Sequence, residues 1–132
     1  MSHYLKSGEL SERSIHTTVM EWVRRHPYIE KLVIHFPNEG KRTPRYGKML
    51  KDLGMRKGVA DLLITMQKHG YGGAWIELKS ADGVVSKEQK EFLADMKEQN
   101  YYTAVTWSLD EALDTISWYC FGKTHEEPIR MV

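Results

Sequence analysis

The chain has one cysteine, Cys120, among its 132 residues. A lone thiol excludes an internal disulfide and any cysteine-built metal site, so a reducing, intracellular setting is expected. There is no basic-then-apolar leader and no apolar run of bilayer-spanning length, which points to a soluble cytoplasmic protein with no membrane association. The histidines (His3, His16, His26, His35, His69 and His125) are scattered without zinc spacing. Neither Gly-x-Gly-x-x-Gly nor Gly-x-Ser-x-Gly occurs. Gly122-Lys123-Thr124 has the ending of a phosphate loop, but Ser117 stands where its upstream glycine belongs. No nucleotide cofactor is therefore expected. Repeats, low-complexity tracts and linkers are absent too, and the length suits one domain around one core.

Net charge is also small, at +1, but it is unevenly spread. Residues 1–57 carry 12 Lys/Arg against 6 Asp/Glu, whereas residues 58–132 carry 7 against 12. The excess centres on Lys41, Arg42, Arg45, Lys48, Lys51, Arg56 and Lys57, opposed only by Asp52. Such a stretch is either a solvated helix and loop or a surface for a polyanion.

Ser11 reads as the cap of a helix running to about Arg25 and stopped by Pro27, with Ile15, Val19, Trp22 and Val23 as its apolar stripe. Leu32 to Phe36 reads as a short strand, followed by the turn Pro37-Asn38-Glu39-Gly40. A basic helix from about Arg45 to Leu53 stops at Gly54. Strands are expected over Val59–Met66 and Ala74–Lys79, joined through Gly70, Gly72 and Gly73 as a hairpin. Ser86 and Gln89 have capping-box spacing before a helix to about Gln99, which turns Phe92, Leu93 and Met96 inward. A strand over Tyr101–Trp107 follows. Ser108 and Glu111 repeat the box before a last helix presenting Leu109, Ala112, Leu113, Ile116 and Tyr119. The order predicts an α/β sandwich with a mixed sheet: a hairpin, then a crossover. The expected divisions are an N-terminal extension (1–10), a single domain (11–121) and a polar tail (122–132).

The polar residues inside this pattern carry the chemistry. Glu77 interrupts a run, Ala74-Trp75-Ile76-Glu77-Leu78-Lys79, that otherwise reads as buried strand, and buried acids need partners. Residues two apart share a strand face, so Lys79 points with Glu77. A hairpin would bring Asp61, at the mouth of the preceding strand, beside Glu77. Asp61 is otherwise a turn acid, and Glu77 and Lys79 otherwise a surface pair on an edge strand. Together the three suit a divalent ion held by oxygens beside a polarised water. The ligands would be Asp61, Glu77 and a backbone carbonyl such as that of Leu78. Lys79 would orient the water or stabilise charge on the phosphoryl oxygens. Glu12 lies in line with the apolar stripe, one turn before Ile15, so it is either a first-turn acid favoured by the helix dipole or a further ligand. Gln89 is either a capping partner or an inward contact to the site. His16, a turn after Glu12, either reaches the site or the DNA or lies on the helix surface, the surface being the expected place. The tryptophans are expected in the core.

Asp61…Glu77-Leu78-Lys79 resembles the PD-(D/E)xK nuclease motif, and its flanks resemble the VRR-NUC branch. The matching features are Glu12 in an opening helix, Phe36-Pro37-Asn38 before a basic segment, Gly54…Lys57-Gly58-Val59-Ala60-Asp61-Leu62, Ile76-Glu77-Leu78-Lys79, Ser86…Gln89 and a closing Tyr101-to-Thr106 strand. The likeness spans about residues 10–120. Ala60 stands where the motif has proline, a change of backbone rather than of chemistry. The resemblance implies a restriction-endonuclease-like three-layer α/β/α sandwich, a mixed β-sheet flanked by helices. It implies Asp61, Glu77 and Lys79 at the catalytic positions, with Glu12 and Gln89 in support, and Mg²⁺ or Mn²⁺ as cofactor. Lys41, Arg42, Arg45, Lys48, Arg56 and Lys57 would then face DNA. Because the chain is a bare domain, the resemblance favours a homodimer cutting four-way junctions in a bacterial or phage-infected cell. The alternatives are a flap or other structure-specific nuclease, and a DNA-binding module without catalysis.

Overall fold

The computed structural model describes residues 10–36 and 43–123. The Pro37–Gly40 turn, Lys41 and Arg42 lie outside these residues. Helix α1 (Glu12–Arg24) begins where the Ser11 hydroxyl accepts a hydrogen bond from the Ser14 amide at 3.1 Å. Pro27, expected only to stop it, also starts a second short helix, α2 (Pro27–Glu30). Proline suits a first helical turn because its missing N–H would have no partner there. Strand β1 (Val33–His35) is followed by α3 (Pro44–Asp52), capped by Thr43. Strands β2 (Leu62–Ile64) and β3 (Ala74–Leu78) form the expected hairpin. Helix α4 (Lys87–Glu98) leads to β4 (Tyr102–Thr106) and then α5 (Leu109–Phe121).

Strand β2 is shorter than the expected Val59–Met66, because its partner β1 offers only three residues for pairing. One further hydrogen bond extends the ladder at each end, Phe36 N–H to the Asp61 carbonyl at 2.7 Å and Thr65 N–H to the Leu32 carbonyl at 2.8 Å. Asp61 therefore sits on a pinned backbone just outside the strand. The second expected capping box is also modified. The Ser108 hydroxyl does accept from the Glu111 amide, but the Glu111 carboxylate reaches back to the N–H of Trp107 rather than of Ser108.

The sheet order is β1-β2-β3-β4, antiparallel except for the parallel β3–β4 pair. This is the mixed sheet of the expected sandwich. Every residue of β3 and β4 is buried: β3 is a central strand, and β4, though at the sheet edge, is covered on its faces by helices. Ala74, Ile76 and Leu78 point from β3 into a core shared with Ile15, Val19 and Val23 of α1 and Ile116 and Tyr119 of α5. Trp75 points the other way, against Phe92 and Leu93 of α4. The alternation continues along β3, so Glu77 and Lys79 share the α4 side with Trp75.

The segment between α3 and β2 presses on the start of α4. Gly58 has φ +92, and a Cβ there would lie 2.6 Å from the Glu88 backbone. Gly47, inside α3, has open space around it. Gly58→Ala is therefore expected to lower unfolding free energy by about 2 kcal/mol or more, from strain plus overlap. Gly47→Ala is expected to raise it by about 0.5–1 kcal/mol. Urea denaturation followed by circular dichroism checks both signs.

Candidate active site

The hairpin register pairs Leu62 with Ile76, so one step outward Asp61 faces Glu77. Both carboxylates are buried, at 4% and 2% exposure, and so is Lys79 at 8%. Since β3 is central, the reading of Glu77 and Lys79 as an edge-strand surface pair is excluded. Asp61 Oδ2 accepts the Leu78 amide hydrogen at 2.7 Å. Leu78 thus enters the site through its N–H. Glu77 Oε2 lies 3.4 Å from Lys79 Nζ and accepts a hydrogen bond from Gln89 Nε2 at 2.9 Å.

Gln89 performs both of its candidate roles. Its Oε1 accepts from the Ser86 amide at 2.8 Å and closes the capping box, while its Nε2 turns to Glu77. The first turn of α4 is thereby tied to the carboxylate cluster. Glu12 is half-buried at the start of α1, close enough for its charge to act on both Asp61 and Glu77. Five sequence candidates from four segments, Glu12, Asp61, Glu77 with Lys79, and Gln89, therefore converge at one end of the sheet.

His16 does not lie on the helix surface, as expected for it, but is 2% exposed. Its Nε2 is 3.6 Å from Asp61 Oδ2, and its Nδ1 is 2.9 Å from His35 Nε2. The available signal was its place beside Ile15 and one turn past Glu12, which sets it on the buried face. Gly83 also belongs to the site's surroundings. It packs on the Lys79 side chain so closely that a Cβ would sit 2.9 Å from Lys79 Cβ, and its carbonyl accepts from Trp107 Nε1 at 3.1 Å. That turn covers the lysine stem and limits where the ammonium can go. Nothing in local sequence pattern announces it.

Of the basic candidates, Arg45, Lys48, Arg56 and Lys57 are exposed. Lys48 pairs with Asp52 at 2.8 Å and Arg56 with Asp95 at 3.0 Å. The residues Lys51 and Lys57 line an open cleft of about 730 Å³ between α3 and the start of α4, which Gln89 also borders.

The electrostatics follow from burial. Burial first, and then the charge of Glu77, pushes Asp61 up to about 9; the Leu78 hydrogen bond opposes this. Burial likewise pushes Glu77 up to about 7 against the pull of Lys79. The two carboxyls are near enough to share a proton, with Asp61 holding it toward Glu77. When both are ionised, Glu77 Oε1 is buried with no hydrogen-bond donor among the described residues. An oxygen-rich, sulfur-free pocket with an unsatisfied carboxylate oxygen fits a hard divalent cation. Among the described residues no group of three His, Cys, Asp or Glu forms a ready-made cage. Mg²⁺ typically uses one or two carboxylates and keeps its waters, so the donor set remains suitable.

In the absence of divalent ions this pair should make stability depend on pH. Between about pH 4, where carboxyls of the unfolded chain ionise, and the raised native values, unfolding releases protons that the folded state retains. Stability therefore falls as pH rises through that window. The expected drop in Tm from pH 5 to pH 8 in EDTA is about 4 °C or more, and Asp61→Asn is expected to remove most of it. Scanning calorimetry measures this; a flat or rising profile would contradict the assigned burial.

Comparison with known proteins gives concordant findings. The model of the VRR-NUC domain family matches residues 10–108. A solved structure described as a VRR_NUC domain protein superposes with a TM-score of 0.72 at 23% identity, covering 93% of this chain and 98% of that one. At that identity the likeness is one of fold. No curated protein matches. No helix among the described residues is long and apolar enough to cross a membrane.

Proposed function

The chain belongs to the VRR-NUC domain family and so carries a nuclease-type domain, and we propose that it is a Mg²⁺- or Mn²⁺-dependent endodeoxyribonuclease. In this reading it hydrolyses phosphodiester bonds in branched DNA, as a homodimer resembling a Holliday-junction resolvase. The observation that carries the proposal is the buried pair Asp61–Glu77 with Lys79 alongside and one Glu77 oxygen that, with both carboxyls ionised, has no donor among the described residues. A cost of this kind is tolerated in a fold when something bound offsets it.

Asp61 and Glu77 would hold the cation, with Glu12 and the Leu78 carbonyl as further oxygen donors. A bound divalent ion supplies polarisation of a phosphoryl oxygen and a more acidic water. The remaining work belongs to the chain itself. Leu78 N–H holds Asp61 Oδ2 in place, and Gln89 Nε2 holds Glu77 Oε2, so neither carboxylate needs to reorganise when substrate arrives. The ammonium of Lys79 is confined by Glu77 and by the Gly83 turn. It would donate a hydrogen bond to the attacking water, or to the phosphoryl oxygens as negative charge builds on them. The water oxygen would bond to phosphorus as the P–O bond to the leaving oxygen breaks, the water giving up a proton to solvent and the departing alkoxide taking one up to leave as the alcohol. The exposed Arg45, Lys48, Arg56 and Lys57 would neutralise backbone phosphates, as would Lys41 and Arg42. Two copies related by a twofold axis would present two such sites to strands of opposite polarity, as paired incision of a junction requires.

The test is cleavage of a four-way junction, a flap, linear duplex DNA and RNA, each with Mg²⁺ and Mn²⁺. Metal-dependent cutting of the junction in preference to the others is expected. Lys79→Ala should slow it about 10²–10³-fold while leaving DNA affinity in EDTA within about twofold of wild type, since one buried lysine adds little to phosphate neutralisation. Absence of metal-dependent cutting in the wild-type protein, with binding intact, would make the domain a binding module. Sedimentation at monomer mass with junction cleavage intact would remove the dimer.

A further inference from the structure

No residue of helix α3 is fully buried, Leu50 being only half-buried. The helix's exposed face carries Tyr46, Met49 and Leu53, spaced as a helical stripe. Leu50 belongs to the same arc and turns into the open cleft between α3 and the first turn of α4. Met55 and Val59 line the cleft too, together with the cationic Lys51 and Lys57. At about 730 Å³ the cleft lies within the range, about 300–1,000 Å³, of pockets that accept small organic groups. Gln89, whose amide donates to Glu77, also lines it. An apolar slot edged by cations and one side chain from the carboxylate cluster has a purpose that phosphate neutralisation does not explain, because duplex backbone offers nothing for the apolar walls.

We infer that this cleft receives an unpaired nucleotide of the DNA substrate. The base lies against Leu50, Met55 and Val59, and its phosphate faces Lys51 and Lys57. The inference rests on the nuclease reading for its substrate but not on catalysis. A second copy of the chain is a poorer occupant, because self-docking here would bring Lys51, Lys57 and Arg45 toward their like, whereas a polyanion complements them. A flat base gains by covering apolar side chains in any sequence, so the cleft recognises DNA in which bases are splayed from the stack, as at a branch, rather than a base sequence. The stripe of Tyr46, Met49 and Leu53 continues the same apolar surface beyond the cleft mouth.

Gly47 permits a clean test. It lines the cleft from α3 and a Cβ there meets nothing within 4 Å, so Gly47→Phe fills the slot while Gly47→Ala controls for helix propensity. Binding is read in EDTA, where no cleavage occurs, using a forked DNA with 2-aminopurine in its unpaired arm and a fully paired duplex with the same label. Wild type and Gly47→Ala should change the emission of the fork and leave that of the duplex unaltered. Gly47→Phe should lose the emission change and bind the fork about tenfold more weakly, the loss expected for about 55 Å² of apolar contact given up, with duplex affinity within about twofold of wild type. Equal losses on fork and duplex, or none, overturn the inference, as does loss of a wild-type dimer by Gly47→Phe in sedimentation. Should circular dichroism show Gly47→Phe unfolded, the wild-type comparison of fork with duplex decides alone. Because all readouts are metal-free binding, a protein that never cuts DNA could still pass, and a true nuclease could still fail.

Discussion

Two carboxyl groups in one dry place dominate this molecule. Asp61 and Glu77 lie side by side at an end of the sheet, each almost wholly removed from water. Desolvation opposes the ionisation of both, and the charge of Glu77 further opposes that of Asp61. A single lysine, itself buried, offsets part of the cost on the Glu77 side. What remains is a pocket suited to a shared proton or, in the proposed function, to a cation, and the rest of the fold keeps the two oxygens from moving apart.

That restraint comes from several directions. The Asp61 carbonyl is bound to Phe36 N–H across β1, and its carboxylate to Leu78 N–H across β3, so both ends of the residue are tied to neighbouring strands. The His16–His35 pair closes the α1 side. On the other side, Gln89 joins a helix cap to Glu77, which means that the local chemistry starting α4 also sets the carboxylate's position. Fold and site here share hydrogen bonds, and damage to one reaches the other.

Much of this was legible in the residues. Glu77 stood out because the run around it otherwise reads as buried strand, and the register of a short hairpin sufficed to bring Asp61 opposite. Gln89 was ambiguous between cap and site, and the ambiguity was real: an amide has an acceptor and a donor, and each role uses one. His16 was misplaced on the surface because a polar residue on a helix is usually solvated, although its neighbours Glu12 and Ile15 marked the inward face. Gly83 against Lys79 and the cleft beside α3 were not readable at all. Both arise where segments distant in sequence pack together, and no periodicity encodes the space between them. The expected roles of Lys41 and Arg42 fall outside the described residues.

The central claim is that the Asp61–Glu77 pair exchanges a shared proton for a divalent cation. Calorimetric titration with Mn²⁺ near pH 7, repeated in buffers of different ionisation enthalpy, counts protons released as the ion binds. The account predicts release of about one proton per site in the wild-type protein, and loss of both the binding and the release in Asp61→Asn. Binding that releases no proton, or that survives unchanged without Asp61, would contradict it.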